Sequence, residues 1–140
     1  MLKSRAMFEV KIQTYWADTD AAGIVFFPNF FRFALQAEEE MYRSVGIEPQ
    51  RFLDEHNVWF PRAEAFATFL APIRHGEAIR VQMIVEMKGE KSVRYNFEMF
   101  SDASGEKVAH GYIVAVCVDR ASFKPKAIPA GMREVLTGLQ

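Results

Sequence analysis

Residues 15–33, YWADTDAAGIVFFPNFFRF, hold the densest chemistry in the chain. Two carboxylates, Asp18 and Asp20, precede an Ala-Ala-Gly turn, and Pro28 and Asn29 follow at the head of a long stretch free of Gly and Pro. Pro and Asn are helix-start residues. A carboxylate beside a helix N-terminus shares its surroundings with backbone N–H groups that have no intrahelical partner. A carbonyl aimed at such N–H groups is polarised, because the helix dipole stabilises oxygen as it gains negative charge. The carboxylate can then attack the carbonyl carbon or activate a water. These parts suit acyl transfer, although Asp-rich turns also occur in ordinary loops, where the side chain satisfies nearby backbone donors.

Other chemistries find less support. Asp-x-Asp occurs in metal sites, yet oxygen-ligated cations usually take six or more ligands. The only further acidic run is Glu38–Glu39–Glu40, whose members point in different directions on a helix: Glu39 opposite the apolar stripe and solvated, Glu38 and Glu40 at its margins. No metal or other cofactor is expected. His56 and His75 fall in polar connections and His110 in a strand, none beside a recognisable Ser or Cys nucleophile. Cys117 falls in an apolar strand, where an inert thiol is the usual outcome. Neither GxGxxG nor GxxxxGK[ST] is present.

The elements that must position Asp18 and Asp20 follow from hydrophobic periodicity. Residues 8–14, FEVKIQT, alternate with Phe8, Val10 and Ile12 on one face, a half-buried strand. Phe30, Phe33, Ala34, Ala37, Met41 and Val45 recur at spacings of three and four, which predicts one helix of about 17 residues, roughly 25 Å long, with Gly46 as its stop. Residues 49–57 read as a polar connection, and most of the remainder reads as strands. Ile79, Val81, Met83, Val85 and Met87 alternate with polar neighbours, 88–91 turns, and Val93, Tyr95, Phe97 and Met99 continue the period. Residues 108–118 are apolar in both alternating sets and read as a central strand covered on both faces. A short helix is expected after Pro129. One long helix amid an antiparallel meander is an α+β arrangement, and a homodimer joining two sheets edge to edge would protect the free edge.

Composition narrows the class further. The 140 residues, half of them hydrophobic, are expected to form a single domain over 1–140. Seventeen Lys plus Arg against eighteen Asp plus Glu give a net charge of −1, without the basic footprint of a general nucleic-acid binder. The lone cysteine allows no internal disulfide, which fits a cytoplasmic home. No apolar run approaches the roughly 20 residues of a membrane span, and residues 1–10 have no leader-like apolar core.

Residues 18–30, DTDAAGIVFFPNF, resemble the signature of the 4-hydroxybenzoyl-CoA thioesterase family of hotdog-fold proteins, and 69–77, FLAPIRHGE, resemble that family's entry into its long central strands. The resemblance spans about residues 8–129. It implies a long central helix wrapped by a curved antiparallel sheet of about five strands, assembled as a homodimer or homotetramer with sites at the interface. It further implies an acyl-CoA thioesterase that works without a cofactor, aryl-CoA substrates being favoured. By position the catalytic carboxylate is Asp20, with Asp18, Gly23, Pro28 and Asn29 in support and the backbone N–H of Phe27 binding the oxyanion. Trp16, Phe26, Phe27 and Phe30 would line the acyl pocket. Lys88, Lys91, Ser92 and Lys126 would bind the coenzyme A phosphates, although Gly89 and Glu90 interrupt the basic run. A non-catalytic acyl-ligand module, a hydratase or dehydratase, and an acyl-carrier-protein thioester as substrate remain open alternatives. The dehydratase would need a His paired with an acid, and no His precedes His56.

Overall fold

The computed structural model describes residues 7–140, so the reading of residues 1–6 lies outside the described part. Strands β1 (Phe8–Gln13), β3 (Arg62–Phe69), β4 (Ala78–Lys88), β5 (Ser92–Ser101) and β6 (Lys107–Val116) form one antiparallel sheet in the order β1-β4-β5-β6-β3. Its period-two residues do what alternation dictates. Val81 faces Met99, Met83 faces Phe97 and Val85 faces Tyr95 across the β4–β5 ladder, and all six are buried. Short strands β2 (Val58–Trp59) and β7 (Val118–Asp119) pair separately.

Helix α1 (Asn29–Ser44) lies across the buried face of the sheet and packs on β1 and β4. Its stripe of Phe30, Phe33, Ala34, Ala37 and Met41 is buried as the spacing predicts. Val45 falls outside the helix and stands exposed, while Glu38 and Tyr42 enter the stripe instead. Helix α3 (Ala130–Leu139), expected after Pro129, buries Met132 and Leu136.

Three differences from the sequence reading have local causes. Residues 49–57 are not a simple connection but helix α2 (Pro49–His56). Pro49 opens it, the Glu48 carboxylate accepts the Arg51 N–H at 3.0 Å, and Asn57 closes it in the left-handed region at φ 55°. Strand β3 is an edge, exposed along most of its length, and its alternation is weak, with alanines at 63, 65 and 67 and Phe66 breaking the polar set. Strand β6 is interior but lies next to that edge, and His110, Tyr112, Val114 and Val116 stay only half-buried. A bulge near Val108 explains the adjacent buried pair Val108 and Ala109. Gly111 in β6 lets β3 approach: a Cβ there would sit 2.0 Å from the Phe66 carbonyl oxygen.

Candidate active site

Beyond β1 the chain is tied down by Thr14, which is buried and gives its hydroxyl to the Glu77 carbonyl at 2.6 Å. A single 3₁₀ turn, Trp16–Asp18, follows. The Asp18 carboxylate accepts the Tyr15 N–H at 2.8 Å through Oδ2 and the Arg32 guanidinium of α1 through Oδ1. Its backbone carbonyl accepts the Phe26 N–H at 2.9 Å and Asn29 Nδ2 at 2.8 Å. Asp18, Asn29 and Arg32 therefore fasten the loop to the helix start. Both oxygens of the Asp18 carboxylate are occupied.

Asp20 is placed otherwise. Its N–H donates to the Ile24 carbonyl at 2.9 Å, its carbonyl accepts the Gly23 N–H at 3.0 Å, and Oδ1 accepts the Ala22 N–H at 2.9 Å. Gly23 makes this turn at φ 79°, a conformation that strains residues with a Cβ. The Asp20 side chain is exposed, and its Oδ2 has no partner among the described residues. Seven residues on, the Phe27 N–H also has no partner among the described residues. Pro28 carries no N–H, and those of Asn29, Phe30 and Phe31 donate to the carbonyls of Phe26, Phe27 and Pro28 at 2.9–3.1 Å. One backbone donor is thus left open at the positive end of α1.

A groove of about 400 Å³ beside Phe27 is lined by Ile24, Phe30, Phe69, Leu70 and Ile73 among others. Phe27 and Phe30 meet Phe69 with ring centroids 5.7 and 5.3 Å apart. Of the four aromatics named for the acyl pocket, Phe27 and Phe30 line this groove. Trp16 stands 79% exposed against His75, and Phe26 meets Phe27 edge-on without lining the groove.

Lys88, Lys91, Ser92 and Lys126 gather at the opposite end of the sheet. The Ser92 hydroxyl donates to the Lys88 carbonyl at 2.9 Å. Cys117 bridges the other two: its N–H donates to the Lys91 carbonyl at 2.8 Å and its carbonyl accepts the Lys126 N–H at 2.9 Å. Arg133 of α3 joins them, donating to the Glu90 carbonyl at 2.6 Å. Sequence reasoning missed Arg133 because only the docking of α3 brings it to the β4–β5 turn.

The acidic run separates as its helical spacing implies, with one surprise. Glu39 and Glu40 share the Arg43 guanidinium on the surface. Glu38 is buried and forms a two-pronged pair with Arg62 of β3, both contacts at 2.8 Å. Burial pushes its carboxyl above the ordinary range, against the pull of Arg62. The available signal was the spacing 30, 34, 38, which places Glu38 on the buried face. Cys117 is buried, and burial pushes its thiol up.

Comparison with known proteins sets this geometry in a class. The sequence matches the thioesterase-like superfamily over residues 14–136, and the chain belongs to that family of thioester hydrolases. The 1,4-dihydroxy-2-naphthoyl-CoA hydrolase of Thermosynechococcus vestitus is 28% identical over 115 residues, 82% of this chain and 78% of that one. The acyl-CoA thioester hydrolase YbgC of Escherichia coli O6:H1 is 27% identical over 124 residues, 88% and 90% of the two chains. The crystal structure of a 1,4-dihydroxy-2-naphthoyl-CoA thioesterase from Synechocystis superposes with a TM-score of 0.87 at 23% identity, covering 94% of this chain and 96% of that one. The fold is the hotdog fold.

Proposed function

We propose that this protein hydrolyses acyl-CoA thioesters, aryl-CoA esters by preference, to the free acid and coenzyme A. The observation that carries the reading is the pairing of an unoccupied Asp20 Oδ2 with an unoccupied Phe27 N–H on one loop, held to the helix start by the Asp18 carbonyl. The thioester carbonyl oxygen accepts the Phe27 N–H. Asp20 either attacks the carbonyl carbon, giving an anhydride that water cleaves, or takes a proton from the water that attacks. In both forms the C–S bond breaks and the thiolate leaves as coenzyme A. Gly23, Pro28 and Asn29 shape the loop, and the Phe27–Phe30–Phe69 groove offers flat aromatic walls to an aryl group. The names of the two relatives support the acyl-CoA class.

The lysines bear on assembly. Tyr15–Asp20 follow Thr14, which bonds to Glu77 just before β4, and Lys88 ends β4 ten residues beyond Ala78. At about 3.3 Å per residue that is roughly 33 Å. The arm of coenzyme A from sulfur to the first phosphate has about as many bonds as four peptide residues, at most roughly 14 Å. If Lys88, Lys91, Ser92 and Lys126 bind the phosphate next to that arm, the gap favours a site shared between protomers, with Asp20 supplied by another copy. Such sharing supports a functional unit that is a homodimer or homotetramer of single-domain protomers. The lone buried Cys117 supports a cytoplasmic setting, and among the described residues no helix is long and apolar enough to cross a membrane.

Release of coenzyme A from 4-hydroxybenzoyl-CoA and from 1,4-dihydroxy-2-naphthoyl-CoA tests the activity directly. Wild type should turn over an aryl-CoA. Binding without turnover would convert the reading to a ligand module, and a new C=C bond formed from a 3-hydroxyacyl-CoA assayed alongside would convert it to a dehydratase. Composite sites are tested by mixing Asp20→Asn protomers with Lys88→Ala/Lys91→Ala/Lys126→Ala protomers after co-refolding. Mixed assemblies contain one intact site and should recover activity that neither parent shows; no recovery would remove the shared-site arrangement.

A further inference from the structure

A second cavity, of about 420 Å³, opens between the C-terminal half of α1, α2 and the start of β3. It shares no lining residue with the groove at Phe27. Glu38 and Tyr42, which line it, lie 11 and 15 residues beyond Phe27, roughly 17 to 22 Å along α1 at 1.5 Å per residue. Its size falls within the range of small-molecule sites, about 300–1,000 Å³.

The walls are apolar, Phe52, Trp59, Phe60, Phe123 and Met132 prominent among them, and the polar groups are confined to one place. Only two lining residues carry charge, Glu38 from α1 and Arg62 from β3, and they neutralise each other in the two-pronged pair. Beside them the hydroxyls of Tyr42 and Tyr95 meet at 2.5 Å, both residues buried. Burial pushes both phenols well above the usual range, so both keep their hydrogens at neutral pH. Two hydroxyls carry two hydrogens, and their mutual bond uses one. The other has no acceptor among the described residues. An unanswered buried donor in an apolar cavity is costly unless something occupies the cavity and accepts it.

We infer that this cavity binds an uncharged, mainly aromatic group bearing one carbonyl or hydroxyl oxygen, which accepts the spare hydrogen of the Tyr42–Tyr95 pair. A carboxylate and a cation are both disfavoured, because Glu38 and Arg62 are committed to each other and no free charge in the apolar walls offsets the loss of an ion's hydration. The group has two possible sources, a free small molecule or the far part of an acyl group reaching in from another protomer's substrate.

Calorimetric titration of the intact protein with 2-acetylnaphthalene, against the anionic 2-naphthoate of similar shape, tests the inference. The ketone should bind, and the naphthoate at least tenfold more weakly. Tyr42→Phe/Tyr95→Phe should weaken the ketone at least tenfold. Phe123→Ala alters an exposed wall residue that does not threaten the fold and should weaken it severalfold. Displacement of the ketone by an aryl-CoA would identify the occupant as substrate, and indifference to aryl-CoA would identify it as a free ligand; either result supports the site. Asp20→Asn should bind the ketone like wild type, so the site stands or falls apart from the carboxylate mechanism. No measurable ketone binding, equal affinity for naphthoate, or indifference to both sets of substitutions would overturn it.

Discussion

Asp18 and Asp20 are the same residue two positions apart, set in different surroundings. Asp18 has both carboxylate oxygens engaged and is buried, whereas Asp20 is exposed and keeps Oδ2 free. Asp20→Asn preserves the oxygen that accepts the Ala22 N–H but removes the charge. It should lower kcat by about 10² to 10⁴, the usual loss for a general base, with a urea midpoint indistinguishable from wild type. Near-normal turnover, with deamidation excluded by mass spectrometry, would defeat the carboxylate mechanism. Asp18→Asn should show the reverse balance, a smaller loss of kcat and about 1–2 kcal/mol of lost stability as the Arg32 contact weakens, read from the same denaturation series. Cys117 offers a plainer check. Its buried, upshifted thiol should resist iodoacetamide at pH 7 in the native protein and react fully in denaturant, as followed by intact mass.

Elements hold these residues through a few cross-connections that single strands or helices cannot make. The Glu38–Arg62 pair joins α1 to β3. Removing one partner from a buried pair costs about 3–5 kcal/mol, and because the Arg62 side chain is 36% exposed, Glu38→Gln should cost less than that, about 1–3 kcal/mol. Glu38→Gln with Arg62→Met should cost less than the sum of the two changes, and strict additivity in a double-mutant cycle would show that the pair is uncoupled. Gly111→Ala places a Cβ against the Phe66 carbonyl and forces β3 away from β6. The expected loss is at least the roughly 1–3 kcal/mol of an overpacked site. An unchanged urea midpoint would mean that the β3–β6 contact relaxes freely.

At the scale of the whole molecule the two sheet edges differ. The β1 edge carries Glu9, Lys11 and Gln13, charges and an amide that discourage further pairing. The β3 edge, RAEAFATF, has one Arg and one Glu among small and aromatic residues, and six of its eight positions are exposed. Such an edge invites a second copy. The native mass should therefore be a multiple of 16.0 kDa, and Ala63→Lys/Ala65→Lys should shift it toward 16.0 kDa on light scattering while lowering activity. A wild-type monomer with full turnover would contradict both the edge pairing and the shared site.

What could be read from the sequence, and what could not, divides along the range of the interactions. The long helix, the paired strands β4 and β5 and the motif loop were legible, because periodicity of 3.6 or 2 and turn chemistry are written within ten or twenty consecutive residues. Strand β3 was not, since its apolar set is mostly alanine and Phe66 breaks the polar set, as an edge exposed along most of its length permits. Helix α2 was overlooked although Glu48, Pro49 and Asn57 marked its ends. The expectation that Asp20 rather than Asp18 is the catalytic carboxylate came from the resemblance of the motif, while the physical difference between them depends on Arg32 and the Tyr15 N–H. The Glu38–Arg62 and Tyr42–Tyr95 contacts join residues 24 and 53 positions apart. Their partners are chosen by the packing of α1 on the sheet, which no local pattern encodes, so the second cavity belongs to the tertiary structure alone.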